Sequence, residues 1–303
     1  MNIPKTHILV VSFRRDYEFF TYFVRSYKKF CRGGFTGITV VVPYNDEPLF
    51  KPFCEANGVI VRSYYEAKGK EFLHHQVVKL EAELWVPKDT EVVAHIDSDC
   101  FFQEPFEAGV YFYNGLPRLS MERYSDFEWY PARYSWKMCV DYALGGNHEW
   151  ETMTQHPELY WIDTYKRLRD HIETRHHFPF TQFVLLQRNE FPQTFAEHPC
   201  CGAFALDYDA HRYQQVIQVH HPGVGWSDEK WRKFGIQPRI WTMATRSVEH
   251  QDKIQGWSTK TLFVFQEENG LRYEEMPLPN PLIQFWSHRG TLSYRQQMEA
   301  ILA

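Results

Sequence analysis

Along the first hundred residues, short runs of consecutive apolar residues alternate with stretches in which apolar residues recur every three or four positions. Residues 8–11 (ILVV) are a continuous apolar run, and Phe19, Phe20, Phe23, Val24, Tyr27 and Phe30 then follow at helical spacing. Asp16 stands where an N-cap would, and Gly33 and Gly34 end the pattern. Residues 38–42 (ITVVV) are β-branched and closed by Pro43. Residues 46–57 read as a second helix, with Gly58 behind it. Residues 59–61 form a third apolar run. Residues 71–85 form a third helix, with Leu73, Val77, Leu80 and Leu84 as its inward stripe, and residues 92–96 (VVAHI) form a fourth strand. Strand–helix alternation with near-continuously apolar strands predicts an α/β fold, with a mostly parallel, Rossmann-like sheet covered by helices on both faces. Such sheets take ligands at the carboxyl ends of their strands.

Beyond about residue 110 the periodicity loosens. Residues 111–150 are rich in Tyr, Trp and Gly and suggest loops with short strands. Residues 157–174 read as helical, and 180–187 as helical or extended. Short strand-like runs appear at 216–217, 262–265 and 282–285. No repeat or linker separates the halves. The expectation is one domain over 1–303, with residues 1–110 binding the ligand and an irregular α+β half over 111–303.

Composition narrows the function classes. Lys and Arg total 33 against 38 Asp and Glu, a formal charge of −5, so the basic excess of a duplex-binding protein is missing. The apolar run near the N-terminus is too short for a signal-peptide core or a membrane span. The six cysteines (31, 54, 100, 139, 200, 201) show neither CxxC pairs nor zinc spacing and read as reduced thiols of a cytoplasmic protein. Phosphate-loop, dinucleotide, HExxH and GxSxG signatures are absent.

The chemistry concentrates in Asp97-Ser98-Asp99, directly after the fourth strand. If the chain stays extended there, Asp97 and Asp99 point to the same side. Two like charges at a strand end are unfavourable unless a cation or ligand hydroxyls use them. Carboxylate oxygens suit Mg²⁺ or Mn²⁺, which can bridge the phosphates of a nucleotide. Upstream, Gln76 and Lys79 share a helical face distinct from the apolar stripe. From there Lys79 can aim at a diphosphate or at Asp97.

Four blocks, VVSFRRDYEFF, ITVVVPYNDEPLF, QVVKLEAE and HIDSDCFFQEPF, resemble in order and spacing a DxD-containing family of bacterial and viral glycosyltransferases of GT-A type. The resemblance covers residues 8–107. It implies a nucleotide-sugar donor, with UDP favoured, and a Mn²⁺ or Mg²⁺ ion. Asp97 would bind the ribose or the metal, Asp99 would coordinate the metal, and Ser98 would belong to the same donor site. Ser12, Arg14 and Asp16 would lie at the nucleotide pocket with Gln76 and Lys79. For Asp16 a simple helix N-cap is the competing reading.

Downstream the likeness thins. Gln182, in Phe180-Thr181-Gln182-Phe183, falls where the relatives show an acid, and Gln cannot serve as a general base. That leaves a retaining mechanism or a base elsewhere, such as Asp228 or Glu229. Many GT-A enzymes add a histidine to the metal shell, and His221 and His288 both precede a glycine in a suitable setting. Arg289 beside His288 could also reach phosphate. The overall acidity favours a saccharide acceptor over a nucleic-acid base, although segments 124–137 and 226–239 mix aromatic and basic residues. A metal-dependent phosphohydrolase and a non-catalytic nucleotide-binding protein are the competing classes.

Overall fold

The structure, a computed structural model, describes residues 3–127, 131–154, 156–188, 195–220, 259–267, 270–275, 282–284 and 295–303. The first half alternates as its apolar runs require: β1 (Thr6–Val11), α1 (Tyr17–Phe30), β2 (Phe35–Pro43), α2 (Glu47–Asn57), β3 (Ile60–Tyr64), α3 (Glu71–Leu80), α4 (Ala82–Trp85) and β4 (Val92–His95). After a short β5 (Cys100–Phe102) come β6 (Phe112–Tyr113), β7 (Leu116–Arg123), α5 (Pro131–Leu144), β8 (Trp150–Glu151) and β9 (Glu158–Trp161). Then follow α6 (Ile162–His176), α7 (Phe180–Leu185), α8 (Glu197–Asp209), β10 (Gln214–His220), β11 (Thr259–Glu267), β12 (Gly270–Glu275), β13 (Leu282–Gln284) and α9 (Arg295–Leu302).

The central sheet has the order β3-β2-β1-β4-β9. Its first four strands are parallel, and β9 closes the edge antiparallel to β4, with His95 opposite Glu158. Strand residues alternate between two cores. Leu9, Val11, Val41 and Val93 pack with α3 and α6–α8. Ile8, Val10, Val40, Val42, Val92 and Ala94 pack with α1 and α2. Both faces are therefore covered, which is why these strands read as unbroken apolar runs. A second sheet, in the order β12-β11-β10-β7-β6, carries β8 on β7, and β13 pairs with β5.

Three expectations are corrected. The helix read over 71–85 breaks at Glu81 (φ −104°, ψ 25°), which shifts the phase of the apolar stripe and leaves Leu84 62% exposed. Residues 111–150 hold the eight-residue strand β7 and the 14-residue helix α5. In α5, Met138 and Tyr142 face solvent while Val140, Ala143 and Leu144 are buried, so apolar residues on both faces blur the period. The helix read from residue 157 begins at Ile162, because residues 158–161 are drawn into the sheet beside β4 without any turn residue to mark the change.

Candidate functional site

The carboxyl ends of β1–β4 form one edge of the central sheet. β4 ends at His95, and the chain does not remain extended through the acidic pair. The Cys100 amide donates to the Asp97 carbonyl at 3.1 Å, closing a turn that reverses the chain into β5. Ser98 and Asp99 are buried in this turn. The ground for expecting Asp97 and Asp99 on the same side, an extended strand, is therefore absent here.

Asp97 is held from two directions. Lys79 Nζ donates to Asp97 Oδ1 at 3.1 Å, and His156 Nε2 to Oδ2 at 3.1 Å. Lys79 comes from α3, where Leu73, Val77 and Leu80 anchor the opposite face in the core. His156 comes from the segment entering β9, the strand beside β4. Of the two directions open to Lys79, the structure shows the one towards Asp97. The ammonium also donates to Glu197 Oε1 at 3.0 Å and lies 3.4 Å from His198 Nε2, both in the first turn of α8. His156 Nδ1 in turn lies 2.5 Å from Glu158 Oε2.

The charge states follow from these contacts. Burial works against the Asp97 carboxylate, but the Lys79 ammonium and the His156 imidazolium outweigh it and hold the carboxyl well below the usual range. Burial likewise opposes charge on Lys79, and Asp97 and Glu197 overcome it. His156 is raised well above an ordinary histidine, since Glu158 and Asp97 outweigh its burial. His198 goes the other way: burial, reinforced by Lys79, keeps it neutral, so its Nε2 accepts from the ammonium.

The other sequence-derived residues fall at the same edge or away from it. Ser12 follows β1 with its amide donating to Val41 O at 3.0 Å. His75, next to Gln76, donates to Val11 O at 3.3 Å and so ties α3 to the end of β1. Ser12 Oγ and Gln76 Oε1 are buried without a hydrogen-bond partner among the described residues, which is uncommon for buried polar atoms. Arg14 is bound to Asp46, through its amide at 2.7 Å and its Nε at 3.1 Å. Asp16 occupies the N-cap position of α1 without a capping side-chain bond; it is buried, 3.5 Å from Arg15 Nε. Gln182 is exposed on α7 and its side chain makes no hydrogen bond to this network. Asp228, Glu229, His221 and His288 lie outside the described residues.

Four members of the network, His156, Glu158, Glu197 and His198, were not singled out from sequence. One signal was present: Glu197 and His198 open a helix whose next residues (PCCGAFA) are almost wholly apolar, so two polar groups there had to be buried and paired. A further feature is also new. Pro43 of β2 is in register with Tyr64 of β3, which sets the next residues, Tyr44 and Tyr65, side by side. Their rings stack at 4.8 Å and 27°, yet they are 52% and 76% exposed.

The donor set bears on the metal that the resemblance implies. Both Asp97 oxygens are engaged by protein cations, and no group of three His, Cys, Asp or Glu residues suited to an ion occurs among the described residues. A Mg²⁺ or Mn²⁺ ion at this turn would therefore have Asp99 as its protein carboxylate only with the rest of its shell supplied by substrate phosphates and water.

No family model matches the chain, and no curated protein matches it. Among solved structures, 4-diphosphocytidyl-2C-methyl-D-erythritol synthase from Anaerococcus prevotii DSM 20548 is similar over 32% of this chain and 44% of its own, at 14% identity and a TM-score of 0.25. TarS from S. aureus is similar over 33% of this chain and 18% of its own, at 16% identity and a TM-score of 0.25. The chain thus spans less than half the length of either. No helix among the described residues is long and apolar enough to cross a membrane.

Proposed function

We propose that the chain is a GT-A-type glycosyltransferase that takes a nucleotide sugar, with UDP favoured, along the carboxyl edge of β1–β4 and passes the sugar to a hydroxyl acceptor, a saccharide by preference. The observation that carries this reading is Asp97, a partly exposed carboxylate locked in place at the end of β4 by Lys79 and His156. In this reading Asp97 accepts from a ribose or sugar hydroxyl. Tyr44 and Tyr65 offer an aromatic face to the base, and three strand spacings of about 4.8 Å separate β3 from β4, roughly 14 Å in all. An extended nucleoside diphosphate has a span of that order.

Asp99 would hold the divalent ion together with the donor's phosphates, and when bound the ion offsets the charge that develops on the departing diphosphate. The residues of this chain supply the rest: Asp97 orients the donor, and Ser12 and Gln76 meet its polar groups. The test is a mass-spectrometric screen for slow hydrolysis across a panel of nucleotide sugars with Mn²⁺, run on the wild type and on Asp97→Asn. The reading expects one donor to be cleaved by the wild type and spared by the variant. Failure to cleave any member of the panel, or release of inorganic phosphate from an aryl phosphate instead, would overturn it.

A further inference from the structure

The charged groups around Asp97 form one chain, Glu158–His156–Asp97–Lys79–Glu197, drawn from β9 and the segment before it, the end of β4, α3 and α8. Side-chain exposure is 4% for Glu158, 7% for His156, 8% for Lys79 and 11% for Glu197, against 33% for Asp97. Among these residues the chain of charges reaches the surface at Asp97. His156 faces a carboxylate at each ring nitrogen, through a hydrogen bond from Nε2 to Asp97 and a close ion-pair contact of Nδ1 with Glu158, and the three protons of the Lys79 ammonium have three acceptors in Asp97, Glu197 and His198. Neither cation can turn without losing a buried contact. Because each grips a different Asp97 oxygen, the carboxylate plane is fixed as well.

Stability alone does not account for such an arrangement. Buried ion pairs replaced by well-packed apolar residues are often no less stable, whereas an exposed acceptor held in one orientation is what a binding site gains from supports of this kind. We propose that Glu158 and Glu197 are positioning residues, acting through His156 and Lys79, that aim Asp97 at a ribose hydroxyl of the bound nucleotide. This rests on the role given to Asp97 under Proposed function.

The experiment pairs protein and ligand changes. The nucleoside diphosphate that binds tightest among UDP, GDP, CDP and ADP is titrated calorimetrically against the wild type, Glu158→Gln and Glu197→Gln, alongside its 2′-deoxy and 3′-deoxy forms. The wild type is expected to bind one deoxy form about tenfold more weakly than the ribose form, the loss of one hydrogen bond to a charged group. Either Gln variant is expected to lose about tenfold on the ribose form and to change little on that deoxy form. The two variants reach Asp97 through different cations, so one that fails to fold leaves the other to decide. Equal losses on all three ligands would reduce the network to a structural role and overturn the inference while leaving donor binding intact. Equal wild-type affinity for ribose and both deoxy forms would overturn it too. Absence of any nucleotide binding would overturn both this inference and the function it rests on.

Discussion

Asp97 and His156 lie 59 residues apart in the chain and meet through a 3.1 Å contact between a carboxylate oxygen and an imidazole nitrogen. The contact exists because β9 inserts beside β4 in antiparallel register, which returns the segment before Glu158 to the carboxyl end of the sheet. It braces one member of the acidic pair at the strand end, fixing Asp97 as an acceptor.

Lys79 is the keystone of the described network. Its replacement by Met keeps the volume and removes the charge, which strands the buried Glu197 without a cation and leaves the partly exposed Asp97 with His156 alone of the two. The expected loss is about 3–5 kcal/mol of folding stability, measured by urea unfolding at neutral pH. A loss under about 1 kcal/mol, the scale of exposed pairs, would mean that water reaches the network freely.

The acid limb of stability should be dominated by buried neutral histidines. His7 is buried between Thr36 and Thr39, each hydroxyl 2.9 Å from a ring nitrogen, and burial lowers its pKa from 6.5 to about 4. Between those values the unfolded chain binds the extra proton, so stability falls as pH drops from about 6.5 to about 4, by roughly 3 kcal/mol from this residue. His75, also near 4, acts in the same direction. His156 has the opposite sign: its raised pKa adds stability that is complete below about 6.5 and is lost as pH climbs through the folded value. Asp97, depressed, adds stability above the ordinary carboxylate range that disappears only in stronger acid. Unfolding followed across pH should show a shallower acid slope in His7→Gln; an unchanged slope would remove His7 as the cause.

The Tyr44–Tyr65 stack is exposed enough that removing either ring should barely touch the fold. Tyr44→Ala and Tyr65→Ala are expected to stay within about 0.5 kcal/mol of wild-type stability. If a base rests on them, each should weaken nucleotide binding by about 1–3 kcal/mol. Fluorescence titration with the preferred nucleotide checks the second figure, and an unaltered affinity in both variants would take the base away from this face.

The strands of the parallel sheet were readable from sequence because burial on both faces leaves no polar alternation in residues 8–11, 38–42 and 92–96. The site's first layer was readable for a related reason: Asp97 and Asp99 follow an apolar strand directly, and Gln76 and Lys79 share one face of a helix whose apolar stripe lies elsewhere. Glu158, His156, Glu197 and His198 were hidden because their partners lie far along the chain, and no local period encodes a contact between β9, α8 and the end of β4. The Asp97–Cys100 turn has a local signal in its Asp and Ser residues, but residues directly after an apolar strand can equally extend it, and the sequence does not decide between the two.

The most direct test of the central claim is isothermal titration of UDP into the wild type, Asp97→Asn and Asp99→Ala, with Mn²⁺ and with EDTA. The account predicts wild-type binding that Asp97→Asn weakens under both conditions, and a Mn²⁺-dependent share of affinity that Asp99→Ala abolishes. Binding that is the same in all three proteins would contradict it.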